Sequence, residues 1–234
     1  MEIRQRFHYE RDPELAEKVI EFIENSPDEN LFRIHVYKLA KQWQKDKREL
    51  LELFIYGLHA GIFVMHWEFH CPFCGGVAKE TLTVHEARSE DYCTNCQVHF
   101  YNKVDDNIEV FFSVHPEVRK LPLDLEAQHK ASIMTTIAQH GAYQWKKEEP
   151  VLGVDLLQNP LYRELFGEEV LLPDQSLELM RATILFTDIK GSTQMYTELG
   201  DSKAFQLVRE HFRLLFDVIK QYHGVPVKTI GDAV

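Results

Sequence analysis

Arg181-Ala-Thr-Ile-Leu-Phe-Thr-Asp188-Ile189-Lys190-Gly191-Ser192-Thr193 is answered, after a long helical stretch, by Val225-Pro-Val-Lys228-Thr-Ile-Gly231-Asp232. The first run is apolar and β-branched, and it ends on a carboxylate. Its length and composition predict a buried strand over Thr183–Phe186. A turn of small residues and a helix start follow. The second run reads as another apolar strand, ending Gly-Asp. Two strand-end carboxylates flanking a Gly-Ser-Thr turn are what a phosphate-plus-metal site needs. Carboxylates hold hard divalent cations, and free N–H groups at a helix start hold phosphate oxygens. Gly191 lets the backbone approach closely, and Ser192 or Thr193 can cap the helix. The plainer alternative is a strand–helix–strand unit whose aspartates only cap turns. Between the two runs, Phe205, Val208, Phe212, Leu215 and Ile219 recur at three- and four-residue steps as a core stripe, and Gly224 ends the helix.

Composition bounds the rest. The 234 residues allow one or two domains, and a net charge of -11 argues against a non-specific nucleic-acid binder, which would need a basic face. No run approaches the ~18 apolar residues of a membrane span. The charged start MEIRQRFHYERDPE lacks an apolar signal core. A cytoplasmic protein is the expectation.

The four cysteines fall as two pairs, Cys71-Pro-Phe-Cys74-Gly75-Gly76 and Cys93-Thr-Asn-Cys96. Two CxxC turns on neighbouring hairpins predict tetrahedral, closed thiolate ligation of one structural Zn²⁺ by Cys71, Cys74, Cys93 and Cys96. His70 and His99 lie nearby but are not needed as ligands. Flanking strands are expected at Lys79–His85, Val98–Tyr101 and Ile108–Val114.

Upstream, Asp12-Pro13 opens a helix carrying Leu15, Val19, Phe22 and Ile23. A second helix is expected over Leu31, Ile34, Leu39, Ala40 and Trp43, and a third from Asp46. A strand follows Gly61. Three helices and a strand look like a winged-helix module. Lys45, Lys47 and Arg48 would then head a helix that contacts DNA phosphates, but Glu49 and Glu52 would repel them. A protein-interaction module is the blander reading. Residues 115–178 read as a linker or regulatory region: a helix over Leu125–His140 stopped by Gly141, a charged break at Lys146–Pro150, and a short helix from Pro160.

Three ordered blocks, FTDIKGST at 186–193, LGDSKAFQLVREHF at 199–212 and VKTIGDAV at 227–234, resemble the catalytic domain of class III adenylate/guanylate cyclases. The resemblance implies a ferredoxin-like catalytic domain over 179–234. It implies a two-metal reaction in which Asp188, Asp232 and the backbone carbonyl of Ile189 hold two Mg²⁺ or Mn²⁺ ions. Gly191, Ser192 and Thr193 would cradle the phosphates. Many members of that family carry an aromatic residue at the position of Ser192. The family's Lys at the position of Lys228 contacts adenine where guanylate cyclases carry Glu, so ATP is the expected substrate; a Lys donor suits the acceptor N1 of adenine. The family's catalytic domains pair, so a homodimer is implied. Its second base-reading residue and its transition-state Asn and Arg would follow Val234, and the chain is therefore expected to be an N-terminal fragment, inactive alone. The preceding half resembles the N-terminal region that accompanies some bacterial adenylate cyclases.

The expected architecture is α+β: a winged-helix-like module at 1–68, a zinc ribbon at 69–114, the linker at 115–178 and the opening β-α-β of the cyclase domain at 179–234. The rival is a regulatory or nucleic-acid-binding module carrying a degenerate cyclase remnant. Intact Asp188, Lys228 and Asp232 weigh against degeneracy.

Overall fold

The computed structural model describes residues 3–7, 9, 11–167, 177–179, 181, 183–222 and 224–234. Its helices are α1 (Ile3–Arg6), α2 (Pro13–Asn25), α3 (Asp28–Leu31), α4 (Val36–Trp43), α5 (Lys47–His59), α6 (Leu125–His140), α7 (Gly153–Leu157), α8 (Pro160–Leu165), α9 (Ser192–Leu199) and α10 (Asp201–Gln221). Its strands are β1 (Phe63–His70), β2 (Val77–Thr81), β3 (Glu90–Cys93), β4 (Val98–Tyr101), β5 (Ile108–Val114) and β6 (Val151–Leu152). Helices and antiparallel strands are thus mixed, as an α+β chain requires. Two compact units emerge, one of residues 1–157 and 161–180, the other of 158–160 and 181–234.

In the first unit the local signals act as the sequence implies. Asp12 caps α2 by accepting from the Leu15 N–H at 2.9 Å, and Pro13 occupies the first turn, where no N–H is needed. Asp46 caps α5 through the N–H groups of Arg48 and Glu49. The helix expected across Leu31–Trp43 divides into α3 and α4. Arg33 takes a left-handed φ of 54°, and the Ile34 N–H leaves the helical path to donate to the Phe112 carbonyl. The left-handed region is costly for a side chain with a Cβ, so tertiary contacts must hold Arg33 there.

A four-stranded antiparallel sheet runs β2-β1-β5-β6. β1 is an inner strand of this sheet, so the strand after the three helices is not a free wing. One sheet face carries Trp67, Phe69, Ile108, Val110 and Phe112 into the main core, with Leu15, Val19, Leu50 and Phe54 from the helices. The rings of Phe54 and Phe63 stack at 4.4 Å. β3 and β4 pair separately, and their inward Cys93 and Phe100 join Cys71, Cys74, Ile133 and Ile137 in a second small core. Residues 115–178 therefore contribute α6 to a core.

In the second unit, α9 and α10 follow the helical stretch, and α10 buries Ala204 and Val208. The buried strand expected over Thr183–Phe186 is corrected: Ile184, Leu185 and Phe186 are 70%, 70% and 83% exposed. A strand buries its faces only when neighbouring strands and helices cover them, and among the described residues the sole backbone pairing here is Thr187 with Val234, at 2.8 and 3.2 Å. Phe205 of the expected core stripe is likewise exposed. The approach to Thr183 through 168–176 lies outside the described residues. Among those described, no helix is long and apolar enough to cross a membrane.

Candidate functional site

The four cysteines come together. Their Sγ atoms all lie within 4.8 Å of one another, with Cys71–Cys96 at 3.9 Å and Cys74–Cys93 at 3.7 Å, and none is in a disulfide. A tetrahedron of thiolates about 2.3 Å from one ion has edges of about 3.8 Å, so the donor set fits zinc. The two knuckles share one backbone design. In each, the residue after the second cysteine donates its N–H to the carbonyl of the first, Gly75 to Cys71 and Gln97 to Cys93, both at 2.8 Å. Both of those residues have positive φ, 71° and 57°. Two of the thiols are pushed toward the protonated form: contact with Cys74 pushes Cys96 up to about 12, and burial pushes Cys71 up. Cys74 runs the other way; its burial is outweighed by hydrogen bonds, first from the Gly76 N–H.

Residues 143–145 lock onto the first knuckle. The Tyr143 N–H donates to the Cys74 carbonyl at 2.7 Å, and Trp145 stacks on His70 at 4.2 Å. A Cβ on Gly75 would lie 1.9 Å from the Tyr143 carbonyl oxygen. Gly75→Ala should therefore lose about 1–3 kcal/mol to backbone strain alone, and more to this overlap. Gln97→Gly, at the matching position, should change stability by less than about 1 kcal/mol. Urea midpoints of the two variants check the contrast; equal effects would contradict it.

Sequence reasoning missed a row of three glutamates. The register places Glu80, Glu68 and Glu109 side by side across β2, β1 and β5, on the sheet face opposite the main core. Like charges facing one another across strands destabilise a sheet unless they are answered. Arg33 answers two of them: it pairs with Glu68, and with Glu80 at 2.9 Å. Arg33 and Glu68 are both buried, and the guanidinium also lies over the rings of Phe32 and Phe111. Glu80 has more partners, His66 at 3.0 Å and Lys130 at 3.6 Å. Although its burial opposes this, hydrogen bonding to His66 and the charge of Arg33 hold its carboxyl down at about 2. Burial instead pushes Glu68 up and Glu109 well up. The signal was present as alternation, His66, Glu68 and His70 on one face of β1 and Trp67 and Phe69 on the other. Such alternation ordinarily marks a solvent face.

At the other end of the chain, Asp232 reaches the backbone just after Asp188. Asp232 Oδ2 accepts from the Ile189 N–H at 3.2 Å. Its burial is outweighed by hydrogen bonds, first from Ser192 and then from its own and the Ile189 N–H, with Asp188 also in reach, so its pKa is lowered. Gly191 precedes α9 with a φ of 78°, a conformation a side chain would resist, and Ser192 opens the helix. Gly191 thus occupies the capping position for which Ser192 or Thr193 was expected. Thr193 and Lys228 are exposed.

Residues 3–187 match the model of a family of unknown function, DUF5939. The chain belongs to the DUF5939 family. The helical region, the glutamate row and the cysteine knuckles all lie within that DUF5939 match. Residues 175–234 match the adenylate and guanylate cyclase catalytic domain, so a DUF5939 region here runs into part of a nucleotide cyclase domain. No curated protein and no solved structure matches.

Proposed function

We propose that the protein is a cytoplasmic adenylate cyclase that converts ATP to 3′,5′-cyclic AMP and pyrophosphate. The reading is supported by Asp232, whose carboxylate accepts from the Ile189 N–H, next to Asp188 and close to the Gly191-Ser192 helix start. Two divalent ions held by these carboxylates would draw the triphosphate in. Asp188, Asp232 and the Ile189 carbonyl would hold Mg²⁺ or Mn²⁺, which accept few protein oxygens alongside phosphates. One ion makes the ribose 3′-hydroxyl more acidic, and the other offsets charge on the leaving pyrophosphate. Gly191, Ser192 and Thr193 would receive phosphate oxygens. Lys228 would donate to adenine N1. The domain would work as a homodimer. Cys71, Cys74, Cys93 and Cys96 would hold one structural zinc, and free thiols in two CxxC pairs suit a reducing compartment.

The test is turnover by the protein. Asp188→Ala should lower cyclic-AMP formation about 100-fold or more with folding unchanged. Lys228→Glu should move the preference from ATP toward GTP. Normal turnover by Asp188→Ala would overturn the metal assignment, and an unaltered nucleotide preference in Lys228→Glu would overturn the assignment of ATP.

A further inference from the structure

The glutamate row ends in a pocket of donor atoms that the cyclase reading does not use. Glu68, His70 and Glu109 are all buried, and one donor atom from each lies within 4.8 Å of the others. His70 Nε2 is 3.0 Å from Glu109 Oε2 and 3.6 Å from Glu68 Oε2. Donors bound about 2.1 Å from one ion stand about 3.0–3.4 Å apart, close to the two spacings from His70.

The His70 tautomer decides what the cluster can accept. Nδ1 lies 2.9 Å from the Gly75 carbonyl oxygen, which can only accept, so the proton of a neutral ring sits on Nδ1. Nε2 then presents a lone pair toward a carboxylate oxygen. That position, 3.0 Å from Glu109 Oε2, holds either a carboxyl proton of Glu109 or a metal ion. A ligating histidine that gives its other N–H to a backbone carbonyl is the usual support of a metal site. Independently, Glu68 Oε2 is buried and accepts no hydrogen bond among the described residues. Arg33 engages the other oxygen of Glu68, together with Glu80, while the hydrogen-bond partner of Glu109 is His70. Trp145, stacked on His70, screens the imidazole from water.

We propose that Glu68, His70 and Glu109 bind a second divalent transition-metal ion, distinct from the ion of the cysteine knuckles. One imidazole and two carboxylates suit zinc, manganese or ferrous iron, and disfavour soft monovalent ions. The site shares the Cys71-to-Gly76 turn with the knuckle through the Gly75 carbonyl, so two ions would brace one loop from both sides.

The test uses the full chain carrying Asp188→Ala, which removes the C-terminal carboxylate pair from the count and so separates this inference from the cyclase reading. Protein equilibrated with Zn²⁺ and gel-filtered is analysed for zinc per chain and by zinc-edge X-ray absorption. Two equivalents are expected, with an oxygen/nitrogen shell near 2.0–2.1 Å beside the sulfur shell. Adding Glu109→Gln should leave one equivalent and an all-sulfur spectrum. One equivalent and an all-sulfur shell before that change, meaning a proton occupies the position, would overturn the proposal, as would two equivalents retained in a folded Glu109→Gln protein. If Glu109→Gln does not fold, the spectrum of the parent protein decides alone.

Discussion

Stripping metal with a strong chelator, or replacing Cys93 by Ser, should lower the melting temperature of the first unit by at least about 10 °C. The reason lies in what the second core is made of. Cys71, Cys74 and Cys93 are themselves buried members of it, with Phe100, Ile133 and Ile137. Few other apolar groups hold β3, β4 and α6 together there. Structural zinc contributes about 10–16 kcal/mol in small thiolate sites, comparable with the whole stability of a typical domain. Even about 5 kcal/mol of it shifts melting by about 10–20 °C in a chain of this size. Because the thiols must lose protons to bind, and contact with Cys74 holds Cys96 up at about 12 without metal, loss of the ion should ease as pH falls. Circular dichroism melts with and without chelator check this. An unchanged melt in protein shown to be metal-free would contradict it.

Arg33→Met should be nearly as damaging, at about 3–5 kcal/mol, because it removes the guanidinium paired with the buried Glu68 carboxylate. Shape and the left-handed backbone are largely kept, so the loss reports charge. Two further results follow. Adding Glu68→Gln to Arg33→Met should recover a large part of the stability, since it removes the stranded charge. The loss should also shrink in acid. Burial already raises the Glu68 pKa, and Arg33 is what opposes that rise. Without Arg33 the folded-state value climbs further above the unfolded one. A carboxyl raised in this way favours the fold at low pH, and that contribution disappears as pH rises through the folded-state value. Urea midpoints of the wild type and the two variants, at about pH 5 and about pH 8, measure both effects. A pH-independent loss would contradict the assignment.

Local chemistry was legible and tertiary cover was not. Asp12-Pro13 and Asp46 mark helix starts, and Gly141 marks a helix end, because a cap needs only its own neighbours. The two CxxC turns were legible for the same reason. Arg33 was not: nothing in Leu31–Trp43 announces a left-handed residue, whose place is fixed by Glu68, Glu80 and Ser113 far along the chain. The Glu80-Glu68-Glu109 row was hidden because alternation in β1 marks a polar face without saying what covers it. Thr183–Phe186 shows the converse. Its apolar run reads as buried, yet composition cannot supply the neighbours that burial requires.

The proposal that Asp188 and Asp232 share a divalent ion is tested most directly by paramagnetic broadening of backbone amide signals. Mn²⁺ is added in small steps with a non-cyclisable ATP analogue. The amides of Ile189, Lys190 and Ser192 and those of Gly231 and Asp232 should broaden together, at the same Mn²⁺ concentration, and should recover together in Asp188→Ala. Broadening of one cluster without the other, or broadening that persists in Asp188→Ala, would contradict a shared ion.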